Sequence, residues 1–143
     1  MVSHGIYFLL LRLDTAQRMR IGARSGDFPQ GYYIYIGSAQ GMLAQRIARH
    51  RRTHKKLKWH IDFFLQYARV IAVRVLPNAP KQREAQMAMA LCCNADSIPM
   101  RKFGASDSPA VSHLVGFQTR RRAEEVLRNV LTRATRARPA RTP

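Results

Sequence analysis

The sequence predicts an α/β domain of the α+β kind: a small central sheet, mostly antiparallel, flanked by helices. Three observations carry that expectation. Short runs dense in Ile, Tyr, Phe and Val at 5–13, 32–36 and 69–76 suit a pleated, buried surface. Stripes of helical period occupy 41–52, 81–94 and 120–133. Clusters of Gly, Pro, Ser and Asp separate the two kinds of run. At 143 residues the chain is long enough for one core and too short for two.

The first strand is the apolar run 5–13, followed by a turn at 14–17 and a short second strand or hairpin return at 18–23. Residues 25–31 read as a loop. The strand 32–36 closes at Gly37 and sends Tyr33 and Tyr35 to one face, Tyr32 and Ile34 to the other. In the helix 41–52, Leu43, Arg46, Ile47 and His50 fall at i, i+3, i+4 and i+7. Arg46 and His50 therefore stand on an inward stripe, where a charge is costly unless it is paired or used.

A basic connector, 53–58, leads to a short and nearly all-apolar helix at 59–67, with His60 and Asp62 as its polar exceptions. A strand at 69–76 ends at Pro77-Asn78-Ala79-Pro80. In the helix 81–94, Glu84 shares a face with Met87, Ala88 and Leu91. Such a carboxylate either snorkels at the edge of the stripe or is placed inward for a purpose. Residues 97–102 are a connector or strand, 103–109 a loop, and 112–118 a last strand carrying His113. The helix 120–133 is amphipathic through Ala123, Val126, Leu127, Val130 and Leu131. A single domain thus spans 1–134, and 135–143 reads as a disordered basic tail.

Charge narrows the choice of partner. Twenty-five Lys and Arg against eight Asp and Glu leave a formal net charge of +17. Twenty of those cations are Arg, whose planar fork suits phosphate. No acid occurs from Phe28 to Ile61, where Arg46, Arg49, Arg51, Arg52, Lys55, Lys56 and Lys58 accumulate. Such a one-sign block is either a solvated surface or the footprint of phosphate contacts, and the shortage of acids favours a nucleic acid. No apolar run reaches the ~18 residues of a membrane span, and no signal-peptide pattern opens the chain, so the expected address is cytoplasmic. Cys92 and Cys93 are adjacent and alone, which fits two thiols in a reduced compartment rather than a zinc or redox pair.

Gly5-Ile6-Tyr7 on the first strand, Tyr35-Ile36-Gly37 on the next, Arg46 on the following helix and Glu84 on a later one resemble the GIY-YIG nuclease superfamily. The flanking words Arg46-Ile47-Ala48-Arg49-His50, Lys58-Trp59-His60-Ile61-Asp62, Phe103 to Asp107 and Ser112-His113-Leu114 are similar to one subgroup, domain of unknown function 123. That subgroup is sometimes joined to endonuclease III-type repair enzymes. The resemblance implies a metal-dependent endonuclease acting on DNA, with a repair or branched intermediate as a candidate substrate and Mg2+ or another divalent cation as cofactor. It implies that Tyr7 helps to activate the attacking water and that Tyr35 positions the water or the phosphate. It assigns transition-state charge to Arg46 and the metal to Glu84. Arg and a hard cation suit that chemistry, because negative charge builds on the phosphate and the leaving oxygen.

A tyrosine of reference pKa about 10 is a poor base at neutral pH unless a metal, Arg or His assists it. His50 and His60 are candidates for that help, or else are packed or solvent-facing residues. Asp107 and His113 either line the site or fix a loop. Arg49, Arg51, Arg52, Lys55, Lys56 and Lys58 are the expected nucleic-acid contacts. Where the subgroup often has Cys, this chain carries Ala85, Ser108 and Ala110. The rival function is a catalytically silent nucleic-acid-binding module with the same fold, which would have no need of Glu84 on an apolar stripe.

Overall fold

A computed structural model describes residues 2–105 and 108–136. The elements run β1 (Gly5–Leu13), β2 (Gln17–Ile21), β3 (Arg24–Phe28), β4 (Gly31–Ala39), α1 (Leu43–Arg51), α2 (His60–Phe64), β5 (Ala68–Pro77), α3 (Gln82–Asn94), β6 (Leu114–Phe117) and α4 (Arg120–Arg136). All of β1 except Arg12 is buried. A strand apolar on both faces must be covered on both, and β1 lies inside a four-stranded sheet of order β5-β1-β4-β6. Every pairing in it is antiparallel, as expected.

Alternation along the strands divides the core in two. Ile6, Phe8, Leu10, Ile34 and Ile36 face α3 and α4, while Tyr7, Leu9, Leu11, Leu13 and Tyr33 face α1, α2 and the hairpin β2–β3. Truncating one of these buried side chains, Leu9→Ala for example, would cost about 2–5 kcal/mol. The sheet ends where β1 begins and β4 finishes, so groups from both layers can meet there. Tyr7 and Gly37 are register partners at that end.

The chain departs from expectation in one element and at several boundaries. Residues 25–28, expected within a loop, form with Arg24 a strand that pairs with 17–21 as a separate two-stranded sheet. The reason is a two-residue turn opened by Gly22 at φ 62, with Met19, Ile21 and Phe28 buried beneath the ribbon. Helix α1 starts at Leu43 because Met42 is left-handed, at φ 55. His113 falls just before β6, held by Ile36 N–H donating to its carbonyl at 3.0 Å. Helix α4 continues to Arg136, two residues into the expected tail, whose remainder (137–143) lies outside the described residues, as does Asp107. Among the described residues no helix is long and apolar enough to cross a membrane.

Candidate active site

Tyr7 reaches the sheet end because Gly37 leaves it room. A Cβ on Gly37 would lie 2.6 Å from both Cζ and the hydroxyl of Tyr7. The phenol thus crosses β4 and its oxygen comes within 2.7 Å of His50 Nε2, on the inward stripe of α1. Tyr35 stands beside the pair, its ring centroid 6.4 Å from Tyr7 and 6.2 Å from His50. Burial pushes the Tyr7 phenol above its ordinary pKa, with Arg46 pulling the other way. Burial does the same to Tyr35, reinforced by Tyr7 and Glu84. His50 is pushed down to about 4, first by burial and then by the cations Lys55, Arg49 and Arg46, against the pull of Asp62. At neutral pH the pair is therefore a phenol and a neutral imidazole. Arg46 lowers the tyrosine in the way the sequence suggested, but burial outweighs it, and His50 can take the proton directly.

Arg46 and Arg49 both stack on Trp59, with guanidinium carbons 4.8 and 4.5 Å from the ring centroid. Arg49 then grips Asp62 with both ends of its fork, at 2.8 and 3.0 Å, and Lys56 O at 2.8 Å. Asp62 is wholly buried and also accepts the backbone N–H groups of Lys58 and Trp59, each at 2.8 Å. Burial alone would raise its pKa. Arg49 and those two amides outweigh that and hold it below the usual carboxylate value. Arg46 instead donates to Ser38 O at 2.8 Å and borders the cleft.

Glu84 enters from the opposite layer. Ser38 Oγ donates to its Oε1 at 2.6 Å, and His113 Nδ1 lies 3.0 Å from its Oε2. Burial would raise this carboxyl too, but His113 and Ser38 together hold its pKa below normal, with Lys81 assisting. The cleft these groups share measures about 470 Å³, and Glu84 is its one carboxylate among the described lining residues. No group of three or more His, Cys, Asp or Glu stands together among the described residues. A single ionised, oriented carboxylate nonetheless fits Mg2+, which takes one or two carboxylates and keeps several waters.

The structure brings Tyr7, Tyr35, Arg46 and Glu84 to one cleft, with His50 behind Tyr7 and Lys58 among the lining residues. It does not bring the whole basic block there. Arg49 is bound to Asp62, and Lys55 Nζ donates to the carbonyls of Arg49 and His50 at 3.1 and 2.9 Å, closing the end of α1. Arg51 and Arg52 are exposed beside a separate depression, and Lys56 is exposed. His60 lines the cleft and accepts Gly104 N–H on Nδ1 at 2.8 Å. Residue-by-residue reading missed Ser38, Trp59 and Lys81. Their only signal was position: Ser38 follows the strand-closing Gly37, Trp59 ends the basic connector, and Lys81 opens the helix of Glu84.

Fold and cleft together define an α+β domain with a polar, cation-rimmed site at the open end of its sheet. The chain belongs to the family described as domain of unknown function DUF123, whose model matches residues 6–136. No curated protein and no solved structure matches it.

Proposed function

We propose that this protein is a metal-assisted endonuclease that hydrolyses DNA phosphodiester bonds, of the GIY-YIG type that its motifs resemble. One observation carries the proposal. Tyr7, Tyr35, Arg46 and Glu84, from four separate elements, line one cleft with a neutral histidine hydrogen-bonded to the first tyrosine.

Water would enter beside Tyr7. The phenol is too weak an acid to serve as a free phenolate, so it accepts the water's proton as it passes its own to His50 Nε2, 2.7 Å away. Tyr35 narrows the position of water and phosphate. Arg46, braced by Ser38 O and Trp59, supplies fixed positive charge where the phosphate oxygens become more negative. Glu84 would hold the divalent ion, which contributes charge stabilisation when bound. Lys58 and Lys81 line the same cleft and would draw in a polyanion. The net charge of +17 favours DNA as that polyanion, and the proposed setting is DNA repair in the cytoplasm.

A silent binding module is the competing function. It would use the same cations but has no use for the Tyr7–His50 pair or for an oriented carboxylate among cations. Incubating the purified protein with single-stranded, nicked, flapped and abasic DNA, with and without Mg2+, separates the two. Magnesium-dependent strand breaks in at least one substrate are expected. Binding to all of them with no break in any would leave the module.

A further inference from the structure

We infer that His113 is a second metal donor paired with Glu84, which suits the site to a first-row transition ion such as Mn2+ in addition to Mg2+. The inference rests on the metal-assisted proposal above and adds a nitrogen ligand to it. His113 Nδ1 is buried and lies 3.0 Å from Glu84 Oε2, yet it makes no hydrogen bond to any described residue. The contact is at ion-pair distance without meeting the geometry of an aligned N–H···O bond. A cation placed between Nδ1 and Oε2 would meet the lone pair of the one and the charge of the other, and both side chains line the cleft.

The spacing suits a shared ion. Two neighbouring ligands of an octahedral cation, each bonded at about 2.1 Å, are roughly 3.0 Å apart. Both donors are also held from behind, as metal ligands usually are. Ser38 Oγ fixes Glu84 through Oε1 at 2.6 Å. Ser108 Oγ lies 3.1 Å from His113 Nε2, and in the tautomer whose Nε2–H donates to it Nδ1 is the lone-pair atom. The backbone of His113 is pinned as well, its N–H donating to Phe103 O at 2.9 Å and its carbonyl accepting from Ile36 N–H at 3.0 Å. Imidazole favours transition ions over Mg2+, so the pair has a selectivity that a lone carboxylate lacks.

Titrating the full chain with Mn2+ alone, followed by electron paramagnetic resonance, tests this without any substrate. Wild type should bind Mn2+ and show nitrogen coupling in the pulsed spectrum. His113→Ala should lose that coupling and bind Mn2+ at least ~10-fold more weakly, while competition by Mg2+ changes less than ~3-fold. His113→Asn, which keeps a polar side chain, should also lose the coupling, and melting curves check that both variants fold. Mn2+ binding that depends on Glu84 but shows the same nitrogen coupling without His113, or no coupling at all, overturns the His113 inference and leaves the single-metal proposal standing. Failure of wild type to bind either ion overturns both.

Discussion

Arg46 and Arg49 leave the same helix three residues apart and lie on the same indole, yet they do different work. Arg49 is closed off: its fork is filled by the buried carboxylate of Asp62 and by Lys56 O. Arg46 is braced by a carbonyl and borders the cleft. The two carboxylates divide in the same way. Asp62 is wholly buried and accepts from Arg49 and two backbone amides, whereas Glu84 meets Ser38 and His113 at the cleft wall. A charged side chain in this end of the molecule is structural when its neighbours use up its bonds. It is available for chemistry when they orient it and leave a side open.

The largest way to break that contrast is at Asp62. Asp62→Ala leaves the Arg49 guanidinium and two backbone amides without their acceptor, and should destabilise the fold by about 3–5 kcal/mol in denaturant titration. A loss below ~1 kcal/mol would remove Asp62 from its structural role.

A somewhat smaller effect lies with His50. The unfolded chain protonates this ring near pH 6.5 and the folded chain only at about 4. Between those values the unfolded state binds more protons, so stability falls as pH drops from 6.5 towards 4 and then levels off. The contribution is on the order of 3 kcal/mol. His60 shifts in the same direction, through burial and Arg24, so the comparison needs a variant. His50→Gln should flatten the decline in melting temperature between pH 6.5 and 4.5, and an unchanged slope would mean that the ring is not held neutral.

Gly37→Ala comes next. Its new Cβ meets the Tyr7 ring at 2.6 Å, so the phenol must move away from His50. We expect a stability loss of about 1–3 kcal/mol and a fall in strand cutting larger than the fall in DNA binding. The smallest effect concerns the basic block. Neutralising exposed Arg51, Arg52 or Lys56 should each reduce the slope of log affinity against log salt by about one if that residue meets a phosphate. Lys55, whose ammonium is bonded to two carbonyls of α1, should change the slope less.

Much of this fold was legible in sequence because its signals are periodic. The apolar run of β1, the alternation of β4 and the helical stripes of α1, α3 and α4 each specify an element and the face it buries. The strand Arg24–Phe28 was hidden because Arg24, Ser25, Gly26 and Asp27 carry turn chemistry, and only pairing with β2 makes them a strand. The quartet was legible for a different reason, as charges on apolar stripes and as motif words. What could not be read was which cation is already occupied. Arg46 and Arg49 are both basic residues of one helix, and the difference between them is an acid thirteen positions away in sequence from Arg49. The Tyr7–His50 bond and the Glu84–His113 contact likewise join distant segments that only the folded sheet end brings together.

The most direct measurement sets Arg46→Ala beside Arg49→Ala, reading DNA-cutting rate with Mg2+ and melting temperature on the same preparations. Arg46→Ala should lose about 10²–10³-fold in rate while melting close to wild type. Arg49→Ala should melt lower by several degrees and, below its transition, keep most of its rate. An Arg46→Ala protein that cuts at the wild-type rate, or an Arg49→Ala protein that melts normally and cuts no better than Arg46→Ala, would contradict this division of roles.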